Sequence, residues 1–269
     1  MKYNTENGVA FYTFESFDAC PNIRHLFTTR IGGASTGVHS SMNLSLLNGD
    51  CPQSVKENFR RIAALGYPSE NMVFSQQAHE CKVRIVTDAD RGKGTTRDRD
   101  YSGIDGLVTN VADITLATFY ADCVPLFFYD PVVKAIGLSH AGWRGTIGQI
   151  GKITLEAMTR NYGSNPADVL AGIGPSICAD CFEVDNDLAQ EFAQKLPWST
   201  DFIRPCSKQA GKSYIDLQGI NKQSLILSGL NEQNIELPGI CTKENPEIFF
   251  SHRVMGNERG TLTALLQLK

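Results

Sequence analysis

No run of about 18 apolar residues occurs in this chain of 269, so no membrane-crossing helix is expected. Lys/Arg-rich blocks are missing too, and the net charge is −4. Neutralising a phosphate backbone needs a basic footprint, so nucleic acid is not the expected partner. The first residues, MKYNTENGVAFYTF, lack the apolar core of a signal peptide, and a cytoplasmic location is the expectation. There is no internal repeat, no low-complexity segment and no Pro/Gly/Ser linker, so a single domain over residues 1–269 is expected. A second C-x-x-C pair is also lacking. Cys178 and Cys181 stand as one such pair, which argues against a zinc ribbon and reads as a tight Gly-Pro turn with incidental thiols. Eight cysteines in a chain of this size, with no sign of export, point to reduced thiols.

What is present is strand-rich. CKVRIV, GLVT, ITLATFY, PLFFYD, AIGLSH, VLAGIG, SYIDL and EIFFSHRV read as strands. Pro125 should interrupt or end pairing between the third and fourth of these. Val55, Phe59, Ile62 and Leu65 fall at helical spacing and predict a helix over 51–65, with Asp50 as N-cap, Gln53 as capping-box partner and Pro52 in the first turn. Further helices are expected over 145–161, stopped by Gly163, and over 186–196 and 217–229. The polar stretch 88–103 reads as a mobile surface loop, a candidate lid. Strands with interspersed helices imply an α/β (mixed α+β) fold of sheets layered with helices.

Three residues stand where an element hands over to a turn: His79 in SQQAHECKV, Cys123 in ADCVP and His140 in SHAGWRGT. Two imidazoles and a thiolate make a three-ligand zinc set with a fourth position left for water, whose pKa zinc would lower. The same residues permit two other readings. Cys123 could be a nucleophile with His140 as its base and Asp122 orienting it, or the trio could hold blue copper. In HAGWRGT, Gly142 and Gly145 allow close approach of the backbone to a ligand, Trp143 offers a stacking face, and Arg144 offers a donor fork for phosphate.

HLFTTRIGGASTGVHSSMNLS, QQAH, DGLVT, ADCVPL, HAGWRGT, GPSI…CFEV and FFSHR…RG follow one another across nearly the whole chain. In this the sequence resembles the laccase-domain family, also called the multicopper polyphenol oxidase or purine nucleoside phosphorylase family. The resemblance implies a zinc site of His79, Cys123 and His140. It also implies phosphorolysis of purine nucleosides to base and ribose 1-phosphate, chiefly of adenosine but also of inosine, guanosine and methylthioadenosine. Adenosine deamination accompanies this, and copper-dependent phenol oxidation is an older attribution. The substrates expected are thus a purine nucleoside and phosphate, and the chain is expected to act as a monomer or homodimer. Arg144 is the expected phosphate contact, Asn43 and Gln77 are expected to touch the nucleoside, and Asp122 ranks ahead of Glu80 as general acid/base. QQAHE, NFRRI and SHRV depart from the family's usual text without touching the ligand positions; they fall near Arg61 and Arg253, where substrate contacts would vary. Five histidines in all are too few for several copper centres, although a single copper at the zinc position remains open.

Overall fold

The computed structural model describes residues 1–207 and 209–269. In chain order the elements are β1 (Lys2–Glu6), β2 (Val9–Thr13), α1 (Glu15–Asp18), β3 (Ile23–Thr28), α2 (Pro52–Ala63), β4 (Met72–Phe74), β5 (Val83–Ile85), β6 (Gly106–Thr109), β7 (Thr115–Tyr120), β8 (Val124–Asp130), β9 (Ala135–Ala141), α3 (Trp143–Ile147), α4 (Ile150–Tyr162), β10 (Leu170–Ile173), β11 (Glu183–Asp185), α5 (Asn186–Lys195), β12 (Ile203–Pro205), β13 (Lys212–Ile215), α6 (Leu217–Leu227), β14 (Ile235–Glu236), α7 (His252–Met255) and β15 (Leu262–Leu268). Among the described residues the strands form two six-stranded sheets, β1-β2-β3-β15-β7-β4 and β14-β10-β8-β9-β6-β5, and a small sheet, β11-β13-β12.

The two large sheets face each other. Phe27, Leu116 and Leu266 of the first share one core with Leu107, Phe127 and Leu138 of the second. Helices cover the outer faces. Leu155 and Met158 of α4 and Leu225 of α6 pack on Val108, Leu126 and Phe128, while Ile62 of α2 packs on Leu26, Phe74 and Leu265. The chain is thus a mixed α/β fold of layered sheets and helices. Strands buried on both faces read as unbroken apolar runs, which is why PLFFYD and AIGLSH show no alternation. Removing a Phe such as Phe127 from water contributes about 1.5–3 kcal/mol.

Several details differ from the expectation. The 145–161 helix is two helices, because Gln149 takes a left-handed conformation (φ 56°) between α3 and α4. Gly163, at φ 77°, does end α4. Asp50 does not cap α2 with its side chain; its Oδ2 accepts from Ser35 and Asn43, and Cys51 is the N-cap residue. EIFFSHRV is not a strand: its end forms α7, and its preceding part runs irregularly. Residues 88–103 are tied down rather than loose. Asp90, 2% exposed, accepts from Arg84, Lys93 and the Thr87 backbone, and the Tyr101 hydroxyl donates to the Phe74 carbonyl. Pro125 sits inside β8, opposite His140, whose own N–H donates to the Asp105 carbonyl. The lack of pairing expected between the two strands flanking that point does hold, since β7 and β8 belong to different sheets.

Candidate metal centre

The break between β7 and β8 builds the site. Asp122 occupies the left-handed region (φ 80°), turns the chain from one sheet to the other, and leaves Cys123 immediately before β8. His140 comes from the end of β9, beside β8. His79 comes from the loop between β4 and β5, also left-handed (φ 59°). A histidine held there is strained, and the strain is offset by the bonds around it. The candidate ligand atoms of His79, Cys123 and His140 lie within 4.8 Å of one another. The two imidazole rings meet edge to face, with centroids 4.9 Å apart. His140 is buried and His79 exposed, so the cluster opens to solvent on the His79 side.

Asp105, just before β6 and fully buried, organises all of this. Its Oδ1 accepts from His140 Nδ1 at 2.8 Å and from the His79 N–H at 3.1 Å. Its Oδ2 accepts from the Ala78 and Glu80 N–H groups at 2.9 and 3.0 Å. A carboxylate on Nδ1 fixes the tautomer and leaves Nε2 for a metal, the arrangement typical of metal-ligating histidines. Gly142 completes the close packing: a Cβ there would stand 2.9 Å from His79 Cδ2 and 3.2 Å from Cys123 Sγ.

The charges are coupled. Burial pushes the Cys123 thiol up, but His140 and His79 outweigh it and hold it at about 6. Burial pushes His140 down, but Cys123 and Asp105 overcome this and raise it to about 9. Burial likewise disfavours the Asp105 carboxylate, yet His140 and the backbone N–H groups keep it below its ordinary range. Without a metal the pair is a thiolate beside an imidazolium; a cation would displace the imidazolium proton. Two imidazoles and a thiolate that give up one proton on binding suit zinc and, equally by donor type, copper.

The cluster opens into a cleft of ≈ 430 Å³, lined among others by Gln77, Arg99, Phe119, His252 and Arg259. A larger cavity of ≈ 680 Å³ lies along α2, against Val55 and Phe59, and holds none of these groups; chemistry rather than volume marks the site. Phe119 stacks on Phe74 with centroids 4.6 Å apart, which fixes its ring in the cleft wall. Burial lowers the Arg259 guanidinium pKa, while Asp122 and Cys123 draw on its charge. Its Nε is buried and has no hydrogen-bond partner among the described residues.

The other expected contacts fall elsewhere. Asn43 is fully buried, and its amide is taken by Ser45, Asp50 and Thr261, so it is a structural knot rather than a nucleoside contact. Arg61 bonds Glu57 and the Gly32 carbonyl, away from the cleft lining. Arg144 is exposed and stacks on Trp143 at 4.0 Å; neither lines the cleft. Gln77 does line it, but its amide is held by both backbone groups of Phe119. Asp122 accepts from Thr242 and Ser251 hydroxyls and the Arg253 N–H, so both its oxygens are engaged. Glu80 pairs with Lys82. Asp105, Arg99, Phe119 and Arg259 were not singled out from sequence, although DGLVT and the terminal RG contain two of them.

The profile of the family described as multi-copper polyphenol oxidoreductase laccase matches residues 24–269. The purine nucleoside phosphorylase YlmD of Bacillus subtilis (strain 168) is 38% identical over 248 residues, 90% of this chain and 87% of that protein. Adenosine deaminase RL5, from an unknown prokaryotic organism, is 32% identical over 235 residues, 87% of this chain and 89% of that protein. Among solved structures, the hypothetical protein YfiH of Bacillus licheniformis is similar with a TM-score of 0.90 and 32% identity, over 99% of both chains. With that match spanning nearly its whole length, the chain belongs to the multi-copper polyphenol oxidoreductase laccase family.

Proposed function

We propose that this protein is a zinc-dependent purine nucleoside phosphorylase that acts on adenosine, accepts inosine, guanosine and methylthioadenosine, and also deaminates adenosine. The observation that carries the reading is the convergence of His79, Cys123 and His140 in one cleft with Arg259. The relatives named as a purine nucleoside phosphorylase and an adenosine deaminase support the substrate class.

His79, Cys123 and His140 would hold the metal, which supplies a Lewis acid and leaves a coordination position open. Phe119 offers a fixed aromatic face for the purine. The phosphate role moves from Arg144 to Arg259, with Arg99 beside it on the cleft. Both guanidinium groups line the cleft, and a planar donor fork suits a phosphate oxyanion. Phosphate oxygen then bonds to the ribose C1′ as the C1′–N9 bond breaks, and the base leaves with the electron pair and a proton. Asp122 has no part in that proton transfer, because its oxygens already serve three donors.

Oxidation by several coppers lacks ligands here. His25 accepts the Phe14 N–H within the core, and His39 bonds the Asn48 carbonyl. The test is product analysis by liquid chromatography, with protein of known metal content and adenosine, with and without phosphate. Wild type should yield phosphate-dependent adenine, and His79→Ala and Cys123→Ala should yield none. Inosine formed without phosphate would add deamination. Zinc-loaded wild type that makes neither product refutes the nucleoside assignment; oxygen uptake that tracks copper occupancy would favour the oxidase, and turnover that survives metal removal but not Cys123→Ala would favour a Cys123/His140 hydrolase.

A further inference from the structure

The fold gathers a second group of metal-binding atoms well separated in sequence from the first. Cys178 and Cys181 lie on the turn between β10 and β11. Cys241 and Glu244 lie on the segment that follows β14. The two segments run side by side, through a bridge between Ser176 and Cys241 and a bond from the Thr242 N–H to the Ser176 carbonyl. Ligand atoms of Cys178, Cys181, Cys241 and Glu244 all fall within 4.8 Å of one another. Sequence offers one C-x-x-C pair; the structure sets a C-x-x-E pair, Cys241 and Glu244, against it at the same spacing. The missing half of the site is therefore present, with a carboxylate in place of the fourth thiol.

Three further details fit. The Cys178 N–H donates to Cys241 Sγ at 3.3 Å, which places a backbone dipole on a sulfur as a thiolate requires. The N–H groups of Cys181 and Phe182 both return to the Cys178 carbonyl, forming a tight knuckle that turns both sulfurs to one side. Cys181 Sγ stands 3.6 Å from Glu244 Oε1. Tetrahedral zinc with bonds of about 2.3 Å to sulfur and 2.0 Å to oxygen sets such an S···O edge at about 3.5 Å. Cys181 and Cys241 are buried, and Glu244 is exposed, so an ion would enter from the Glu244 side.

We propose that Cys178, Cys181, Cys241 and Glu244 form a second, structural zinc site. Soft thiolates select zinc over magnesium or calcium, and four protein ligands leave no open position for chemistry. Its place in the fold gives it a role. The residue after Cys241 is Thr242, whose hydroxyl donates to Asp122 Oδ1 at 2.6 Å. The residue before Cys178 is Ile177, whose N–H donates to the Asp122 carbonyl. Arg253 bonds the Cys181 carbonyl through its side chain and Asp122 through its N–H. Zinc here pins together the strands of chain that hold the Asp122 corner, and that corner presents Cys123 to the cleft.

The test is zinc counted by mass spectrometry on protein loaded with Zn²⁺ and desalted, with circular dichroism on every variant. Wild type should hold two equivalents per chain. The His79→Ala/Cys123→Ala double variant should keep one, and Cys241→Ser or Glu244→Gln should lose or weaken the other. Loaded with Co²⁺, the double variant should keep strong sulfur-to-cobalt charge-transfer absorption. Thiol labelling supplies a second readout, on the wild-type sequence and so independent of whether Cys241→Ser folds: Zn²⁺ should protect Cys178, Cys181 and Cys241 from alkylation after full reduction. A folded double variant that holds no zinc, labelling unchanged by Zn²⁺, or a disulfide among these three cysteines in protein purified under reductant would overturn the proposal. The double variant keeps this outcome separate from that of the first metal centre.

Discussion

Asp105 sits at the centre of the site because one carboxylate meets four N–H donors, three from one loop and one from a strand. Asp105→Asn keeps its size but puts an amide N–H against donors. Metal affinity should fall about 10–100-fold, read by competition with a chelator, while circular dichroism stays that of wild type. His25 is a different kind of buried histidine. It packs against Phe14 and Phe17 and accepts the Phe14 N–H at 2.7 Å. Burial holds its pKa down at about 3, despite the charge of Glu236. The folded protein therefore keeps His25 neutral, while the unfolded chain takes up a proton below its ordinary pKa of about 6.5. The stability this gives is whole above that value and is lost as pH falls toward 3, by about 1.4 kcal/mol per unit. His25→Gln keeps an acceptor for the Phe14 N–H but does not titrate. Between pH 7 and pH 5 wild type should lose about 2 kcal/mol more than this variant in urea unfolding; equal losses would disprove the account.

At the scale of elements, the site depends on what the chain does between strands. Left-handed residues at 79 and 122 aim a ligand and turn a corner; histidine and aspartate tolerate that conformation better than most residues, but only the surrounding bonds select it here. Gly142 has ordinary backbone angles, so its need for glycine is purely a matter of space. Gly142→Ala should cost about 1–3 kcal/mol in stability and displace His79 or Cys123, with metal lost at concentrations that saturate wild type. Metal content paired with the thermal midpoint checks both. The central strand β15 shows the limit of local pattern. LTALLQL is rich in helix formers, yet pairing with β3 on one side and β7 on the other makes it a strand buried throughout. EIFFSHRV has aromatic and branched residues that suit a strand, yet Ser251 caps α7 by accepting the Val254 N–H.

Across the whole molecule, residue 259 shares a cleft with residue 123 because the segment before β15 is bonded to the β7–β8 corner, through the Ser251 hydroxyl and the Arg253 N–H to Asp122. Arg259→Gln should raise the KM for phosphate at least about 10-fold while leaving zinc content unchanged, as expected for a lost charge-assisted contact. A change in zinc content instead would make Arg259 a support for the ligands rather than a phosphate contact. Chelation should abolish nucleoside turnover and lower the thermal midpoint, and zinc should restore both, because an ion bound only by the folded state stabilises it.

The sequence by itself determined the mixed fold, most strand cores and the three metal-binding candidates. Apolar runs are local, and a ligand must carry a nitrogen or sulfur wherever it lies. It also held the family motifs, including the aspartate of DGLVT and the terminal arginine, without showing their work. Tertiary structure decided which polar residues face the cleft. Asn43, Arg61 and Arg144 look in the sequence much like Asp105, Arg99 and Arg259, but whether a side chain is already bonded to its neighbours depends on pairings across two sheets. The same holds for Cys241 and Glu244, whose meeting with Cys178 and Cys181 exists only because two distant loops pack against one corner.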